Sequence, residues 1–314
     1  LGAFFVSVLV ISENRSPSKT LAYLLLFFLL PYIGIIIYYV FGENYRKKKL
    51  YKLKAREDKK LQKQINNYVY KLTEDNLREN AVELKHYEKL VRLLTYDGRL
   101  PLTSNNNVSL LINGEEKFEA LFKALEEAEH HIHLEYYIVE EGKVVDRLFE
   151  ILERKASEGV EVRFIYDDFG SSLSRKFLKR VIDAGIQALP FYKIHVPFLS
   201  NRQNYRDHRK IVVIDGRVGF VGGINLSDKY QNNGTNNKLF WRDTHLQIKG
   251  DAVTELQLVF ALNWSFCSGE DLFFKPGYFP NYKATANQMV QIAVSGPDSD
   301  RASIMLSYLS AINH

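Results

Sequence analysis

Three textures of apolar and polar positions follow one another along the chain. The first is almost wholly apolar. Leu1–Ile11 is an apolar run, and Leu21–Phe41 (LAYLLLFFLLPYIGIIIYYVF) carries no charge over 21 residues. At a helical rise of ~1.5 Å the second run would extend about 31 Å, one bilayer core. The pattern therefore predicts a transmembrane helical hairpin over 1–45, its first helix truncated at the start. Pro31 and Gly34 interrupt the run, and membrane helices tolerate both. The second texture, 46–107, is charged, with Leu53, Leu61, Ile65, Val69, Leu72, Leu84, Leu90 and Leu94 at roughly helical spacing. It predicts a basic helical linker. Its leading bases, Arg46, Lys47, Lys48, Lys49, Lys52, Lys54 and Arg56, place the remainder of the chain in the cytoplasm, as part of a multi-pass cell-membrane protein. They also predict contact with an anionic membrane surface.

From Val108 onward short apolar runs alternate with amphipathic ones. Strands are predicted at 108–112, 131–139, 160–167, 186–191, 210–215, 218–223 and 244–250. Helices are predicted at 117–129, 144–157, 173–183 and 252–266. Strand–helix alternation with short connections argues for an α/β domain, bounded here at 108–285. Val290–Ile292–Val294–Ser295–Gly296 repeats the texture of Val108–Leu110–Ile112–Asn113–Gly114. The repeat predicts that a second, truncated copy of the domain occupies 286–314.

Composition narrows the classes. With 46% hydrophobic and 25% charged residues the chain is not disordered. Its one cysteine, Cys267, excludes a disulfide scaffold and a thiolate metal site. The net charge of +5 permits an anionic partner but does not choose between nucleic acid and lipid head groups.

The chemistry concentrates at 208–225, HRKIVVIDGRVGFVGGIN. His208 and Lys210 are two apart, so on a strand they project to one face. An imidazole near neutrality is a nucleophile or base; an ammonium has three donors for a phosphoryl oxygen. Asp215 and Gly216 begin a turn, Gly222 and Gly223 allow close backbone approach, and Asn225 adds uncharged donors. Such a set can meet the developing charge of phosphodiester attack with fixed donors in place of a metal ion, and no metal or other cofactor is expected. Asp243 either holds the imidazole of His208 or forms a surface salt bridge. Glu135, mid-strand among apolar residues, needs a partner; it lies near the site or in a structural ion pair. His131 and His133 lack a third metal ligand at a suitable spacing. Asp167 and Asp168 suit a turn cap.

The H-x-K-x4-D run of His208, Lys210 and Asp215, followed by Gly222-Gly223-x-Asn225, resembles the motif of the phospholipase D superfamily. Further features are Asn14–Arg15–Ser16–Pro17, Leu30–Pro31–x-x-Gly34, Phe41–Gly42–x-Asn44 and Ser295–Gly296–Pro297–Asp298. With these added, the chain resembles bacterial cardiolipin synthases of that superfamily. The resemblance implies a phospholipase D-like sandwich domain and catalytic roles for His208, Lys210 and Asp215. It also implies phosphate-binding or orienting roles for Asn225, Gly222, Gly223, Asp243 and Glu135. The implied reaction takes two phosphatidylglycerol molecules to cardiolipin and glycerol through a phosphatidyl-histidine. The membrane hairpin argues against a nucleic-acid substrate. The family carries two such motifs and this chain has one, so a partner motif or a homodimer is implied. A phospholipase D-like hydrolase working as a dimer of single-motif chains is the alternative, because it shares the covalent intermediate.

Overall fold

The computed structural model describes residues 2–12, 17–41, 59–98, 100–191, 206–232, 239–273, 275–282, 284–296 and 302–313. The chain divides into two compact units, one holding the N-terminal helices and a larger one beginning at Asp58. The basic cluster at 46–56 lies outside the described residues.

The first unit contains α1 (Gly2–Ser12), α2 (Pro17–Leu29) and α3 (Pro31–Phe41). It corrects the expectation of one continuous helix over Leu21–Phe41. Pro31 has no N–H to give the carbonyl one turn back, and its ring crowds that carbonyl, so the run breaks at Leu30. The chain then folds back. The Tyr38 ring lies 5.6 Å from that of Tyr23 and 5.8 Å from that of Phe27, whereas a straight helix would set positions 27 and 38 about 16 Å apart. Gly34 permits the close approach, because a Cβ there would stand 3.0 Å from the Leu26 carbonyl oxygen. Val6, Val10, Phe27 and Tyr38 form a small core, while Phe4, Phe28, Leu29 and Tyr32 are exposed. No described helix is long and apolar enough to cross a membrane. The transmembrane hairpin and multi-pass topology expected from the pattern are therefore not what the described helices form.

In the second unit, α4 (Lys59–Glu79) and α5 (Glu88–Gly98) pack beside a two-stranded ribbon of β1 (Leu102–Thr103) and β9 (Val290–Gln291). The Asn76 side chain donates to the Leu102 carbonyl at 2.9 Å. The main sheet has seven strands: β2 (Asn106–Ile112), β3 (His131–Tyr136), β4 (Glu161–Tyr166), β5 (Gln187–Pro190), β6 (Lys210–Ile214), β7 (Val218–Gly222) and β8 (Thr244–Gly250). Their order is β2-β8-β7-β6-β3-β4-β5, with β3, β4 and β5 parallel and the remaining pairs antiparallel.

Helices cover both faces. On one lie α6 (Asn113–Glu126), α7 (Lys143–Ser157) and α8 (Arg175–Asp183), burying Phe118, Leu121, Phe149, Leu152 and Phe164. On the other lies α9 (Ala252–Ser268), burying Val253, Leu256, Phe260 and Trp264. Strands covered on both sides read as nearly continuous apolar runs, as IVVI (211–214) does. Val290, Ile292 and Val294 pack against the α9 side of the sheet, and α10 (Ser303–Ile312) comes next along the chain. Because β6 runs antiparallel to β3, its first residues stand beside the carboxyl end of β3. Sheets of this kind place ligands at that edge.

Candidate active site

His208 lies two residues before Lys210, the first residue of β6. The two side chains meet as their spacing predicts: Lys210 Nζ lies 3.1 Å from His208 Nδ1 and donates to the His208 carbonyl at 2.8 Å. His208 is exposed and Lys210 is buried. A lysine with little water around it favours its neutral form, so burial pulls Lys210 down to about 8 against the opposing charges of Asp207 and Asp243. Burial and then the Lys210 charge push His208 below its usual value. The result is a neutral imidazole beside a cation at the sheet edge.

Residues that sequence reasoning missed hold this pair. The Tyr137 ring lies 4.5 Å from that of His208, and Lys210 Nζ stands 5.2 Å from its centre. Tyr137 comes directly after β3, in an apolar run where nothing marks it. Asp167 is the turn cap that its position predicts: its Oδ1 accepts from the N–H groups of Phe169 at 3.1 Å and Gly170 at 2.7 Å. Its Oδ2 also accepts from the Asp207 N–H at 3.0 Å, which ties the turn after β4 to the residue before His208. The charges of Asp207 and Asp167 act on His208 and hold its proton affinity up.

Asp215 is not brought to the site. It lies at the other end of β6, about 17 Å along the strand from Lys210 at ~3.4 Å per residue. Its carboxylate accepts from three successive backbone N–H groups, Glu129 at 2.9 Å, His130 at 2.8 Å and His131 at 2.9 Å. Its φ of 52° is left-handed, a conformation that aspartate tolerates. These bonds fasten the start of β3 and hold the carboxylate at the far end of the strand from Lys210. Asp215→Ala is expected to destabilise the fold by about 2–3 kcal/mol, because several donors lose their acceptor. Turnover per folded molecule should stay unchanged. Urea denaturation alongside active-site-normalised rates would check both halves.

Asn225 is buried, and both ends of its amide are engaged. Oδ1 accepts from the Ile138 N–H at 3.1 Å and Nδ2 donates to the Tyr230 hydroxyl at 2.7 Å. It joins the segment after β3 to the segment after β7, instead of presenting free donors. Gly222 and Gly223 act by lacking side chains: a Cβ at 222 would lie 2.6 Å from His245 Nδ1, and one at 223 only 2.1 Å from Asp243 Oδ1. Asp243 therefore sits close to the motif strand, and its charge reaches Lys210. Its own hydrogen bonds run elsewhere, to the Thr244 N–H at 2.7 Å and through its backbone to Asn113 at 3.1 Å. The expected Asp243–His208 hydrogen bond is not formed. Glu135 takes the structural alternative. It lies on the α9 face, accepts from Asn263 at 2.6 Å and pairs with Arg209 at 3.6 Å. Burial and the neighbouring Asp207 raise its proton affinity well above the usual carboxylate range.

Two stretches of the chain match known families. Residues 121–264 match the family described as cardiolipin synthase, PLD-like domain, and residues 2–43 match the phospholipase D-nuclease N-terminal family. Over residues 121–264 the chain is similar to phospholipase D-like cardiolipin synthases. It is 39% identical to cardiolipin synthase 2 of Bacillus cereus over 99% of this chain and 60% of that protein. It is 40% identical to cardiolipin synthase of Geobacillus kaustophilus over 98% of this chain and 61% of that protein. The chain thus spans about three fifths of the length of these relatives. Among solved structures it is similar to Nuc, a phospholipase D family member from Salmonella typhimurium. The TM-score is 0.40 and the identity 14%, over 52% of this chain and 96% of that one.

Proposed function

We propose that the chain supplies one His–Lys pair of an enzyme that converts two phosphatidylglycerol molecules into cardiolipin and glycerol. The observation that carries this reading is the exposed His208 ring against the buried Lys210 ammonium. In the proposed first step the imidazole nitrogen attacks phosphorus. An N–P bond forms and the P–O bond to the glycerol head group breaks. Lys210 donates to a phosphoryl oxygen and meets the charge that develops there. The departing glycerol oxygen takes its proton from a second histidine. That group would come from a second motif in a longer protein, in the domain copy proposed to begin at 286–314, or from a second copy of this chain. In the second step the glycerol hydroxyl of another phosphatidylglycerol attacks phosphorus, gives its proton back to that histidine and breaks the N–P bond.

The exposed apolar residues of the first unit, Phe4, Phe28, Leu29 and Tyr32 among them, support membrane attachment. The bases at 46–56 would sit on the anionic surface, with the catalytic unit on the cytoplasmic side. The test supplies phosphatidylglycerol vesicles to the full-length protein with EDTA present. Cardiolipin and glycerol should appear in equal amounts. Phosphatidic acid as the main product would replace the transferase with the hydrolase.

A further inference from the structure

Behind the His208–Lys210 pair lies a second set of ionisable groups that the proposed chemistry does not use. Tyr136 is opposite Lys210, and Gly222 and Leu111 are both opposite His245. The pairing of Ile211 with Val221 carries Lys210 on to Gly222 at the next step. Tyr136, Lys210, Gly222 and His245 therefore form one row across four neighbouring strands, all on the face covered by α6. From that helix Lys117 reaches down, its Nζ 4.1 Å from the ring centre of Phe118 and 4.9 Å from that of Tyr136. Lys117, Tyr136 and His245 are at most 1% exposed. Among the described residues, Lys117 Nζ, Tyr136 Oη and both ring nitrogens of His245 have no hydrogen-bond partner, and no carboxylate pairs with Lys117. Gly222 keeps the row open, since a side chain there would collide with His245.

We propose that Lys117 and His245 form an inner charge station for the phosphodiester site, drawing protonation from solvent when a phosphodiester anion binds at His208 and Lys210. The proposal rests on the phosphodiester reading above. A buried amine without a counter-ion stays neutral, and burial pushes Lys117 well below its usual range. His245 is pushed down by burial, then by the charges of Lys117 and Lys210. The titratable groups that share its face are Lys117 from α6, Tyr136 from β3 and Lys210 from β6, with Asp243 two residues away on the chain. None of the buried ones is an acid at neutral pH. A bound phosphate supplies the missing negative charge about two strand spacings away, roughly 10 Å. At an effective dielectric of 20 that charge favours protonation about fifteen-fold. The proton comes from the buffer and ends on Lys117 or His245, and no substrate bond changes.

The test is calorimetric titration of the full-length protein with dimethyl phosphate, a phosphodiester that does not titrate near neutrality. Runs at one pH in buffers of different ionisation enthalpy give the number of protons taken up. Lys117→Met and His245→Asn should each take up fewer protons than the parent and bind up to about fifteen-fold more weakly. Thermal melting should show Lys117→Met at least as stable as the parent, since an apolar side chain replaces an unpaired amine. His245→Asn reads the same proton count with Lys117 in place. Proton uptake equal to the parent's in both variants, with binding lost in His208→Ala, overturns the charge station and leaves the phosphodiester reading standing. Binding that is unchanged by His208→Ala overturns the phosphodiester reading itself.

Discussion

His208→Ala is expected to abolish cardiolipin formation by the full-length protein, a loss on the order of 10⁴–10⁶-fold. No neighbouring group can take over. Lys210 has no lone pair while protonated, and Tyr137 meets His208 with its ring. The folded state should hardly change, because His208 is exposed and, among the described residues, its ring packs beside Tyr137 and Lys210. Phosphatidylglycerol turnover measured together with thermal melting separates the two effects. Substantial activity in the variant would remove His208 from the mechanism. A matching drop in melting temperature would recast it as a structural residue. An intermediate trapped by an alkaline denaturing quench, which spares the acid-labile N–P bond, should carry its phosphorus on histidine in the parent and be absent from the variant.

What was legible in the sequence was whatever periodicity encodes. The strand at 244–250 and the helix beginning at 252 appear where the apolar pattern puts them, because a period of two and a period of 3.6 leave different marks. The meeting of His208 with Lys210 was legible for the same reason. What the pattern could not carry was the partner of each polar atom. Asp215 stands in the family motif, yet its work is to gather three backbone N–H groups of a strand some eighty residues earlier. Asn225 has the look of a free amide donor and is consumed by Ile138 and Tyr230. The two glycines suggest room for a ligand. They make room for His245 and Asp243 instead, and only the register of β7 on β8 reveals this.

The first unit shows a different limit. Hydropathy counts apolar residues and is blind to direction, so Leu21–Phe41 scores as one span. Pro31 breaks the helical ladder and Gly34 lets the two arms touch. In the sequence both pass for tolerated interruptions. The contact between Tyr23 and Tyr38 records the fold-back directly, and no sliding window could have shown it.

The His208–Lys210 pair should add its own limbs to the pH dependence of turnover, beside that of the second histidine that protonates the departing glycerol. His208 must be neutral to attack, and its proton affinity is depressed first by burial and then by Lys210. The rate should therefore already have risen to its plateau by a pH below the ordinary histidine range. Lys210 must be charged to donate to the phosphoryl oxygen, and it loses its proton at about 8. The group is a cation whose value in the free enzyme is lowered, so its contribution is complete below pH 8 and fades as pH rises through that value. A bell with a broad neutral plateau and an alkaline limb near 8 is expected in kcat/KM, which reports the free enzyme. Lys210→Arg should abolish the Lys210 contribution to the alkaline limb, since a guanidinium does not deprotonate up to about pH 10. The plateau should fall, because a planar fork cannot occupy the place of a compact ammonium that touches both the carbonyl and the ring of His208. Lys210→Met keeps most of the length and removes the donor. It should cost about 10²–10³-fold in kcat, the usual effect of losing one such donor, and take the alkaline limb with it. Rate profiles from about pH 5 to 10 on a short-chain phosphatidylglycerol would check all three. An alkaline limb that survives unchanged in Lys210→Met would show that another group sets it.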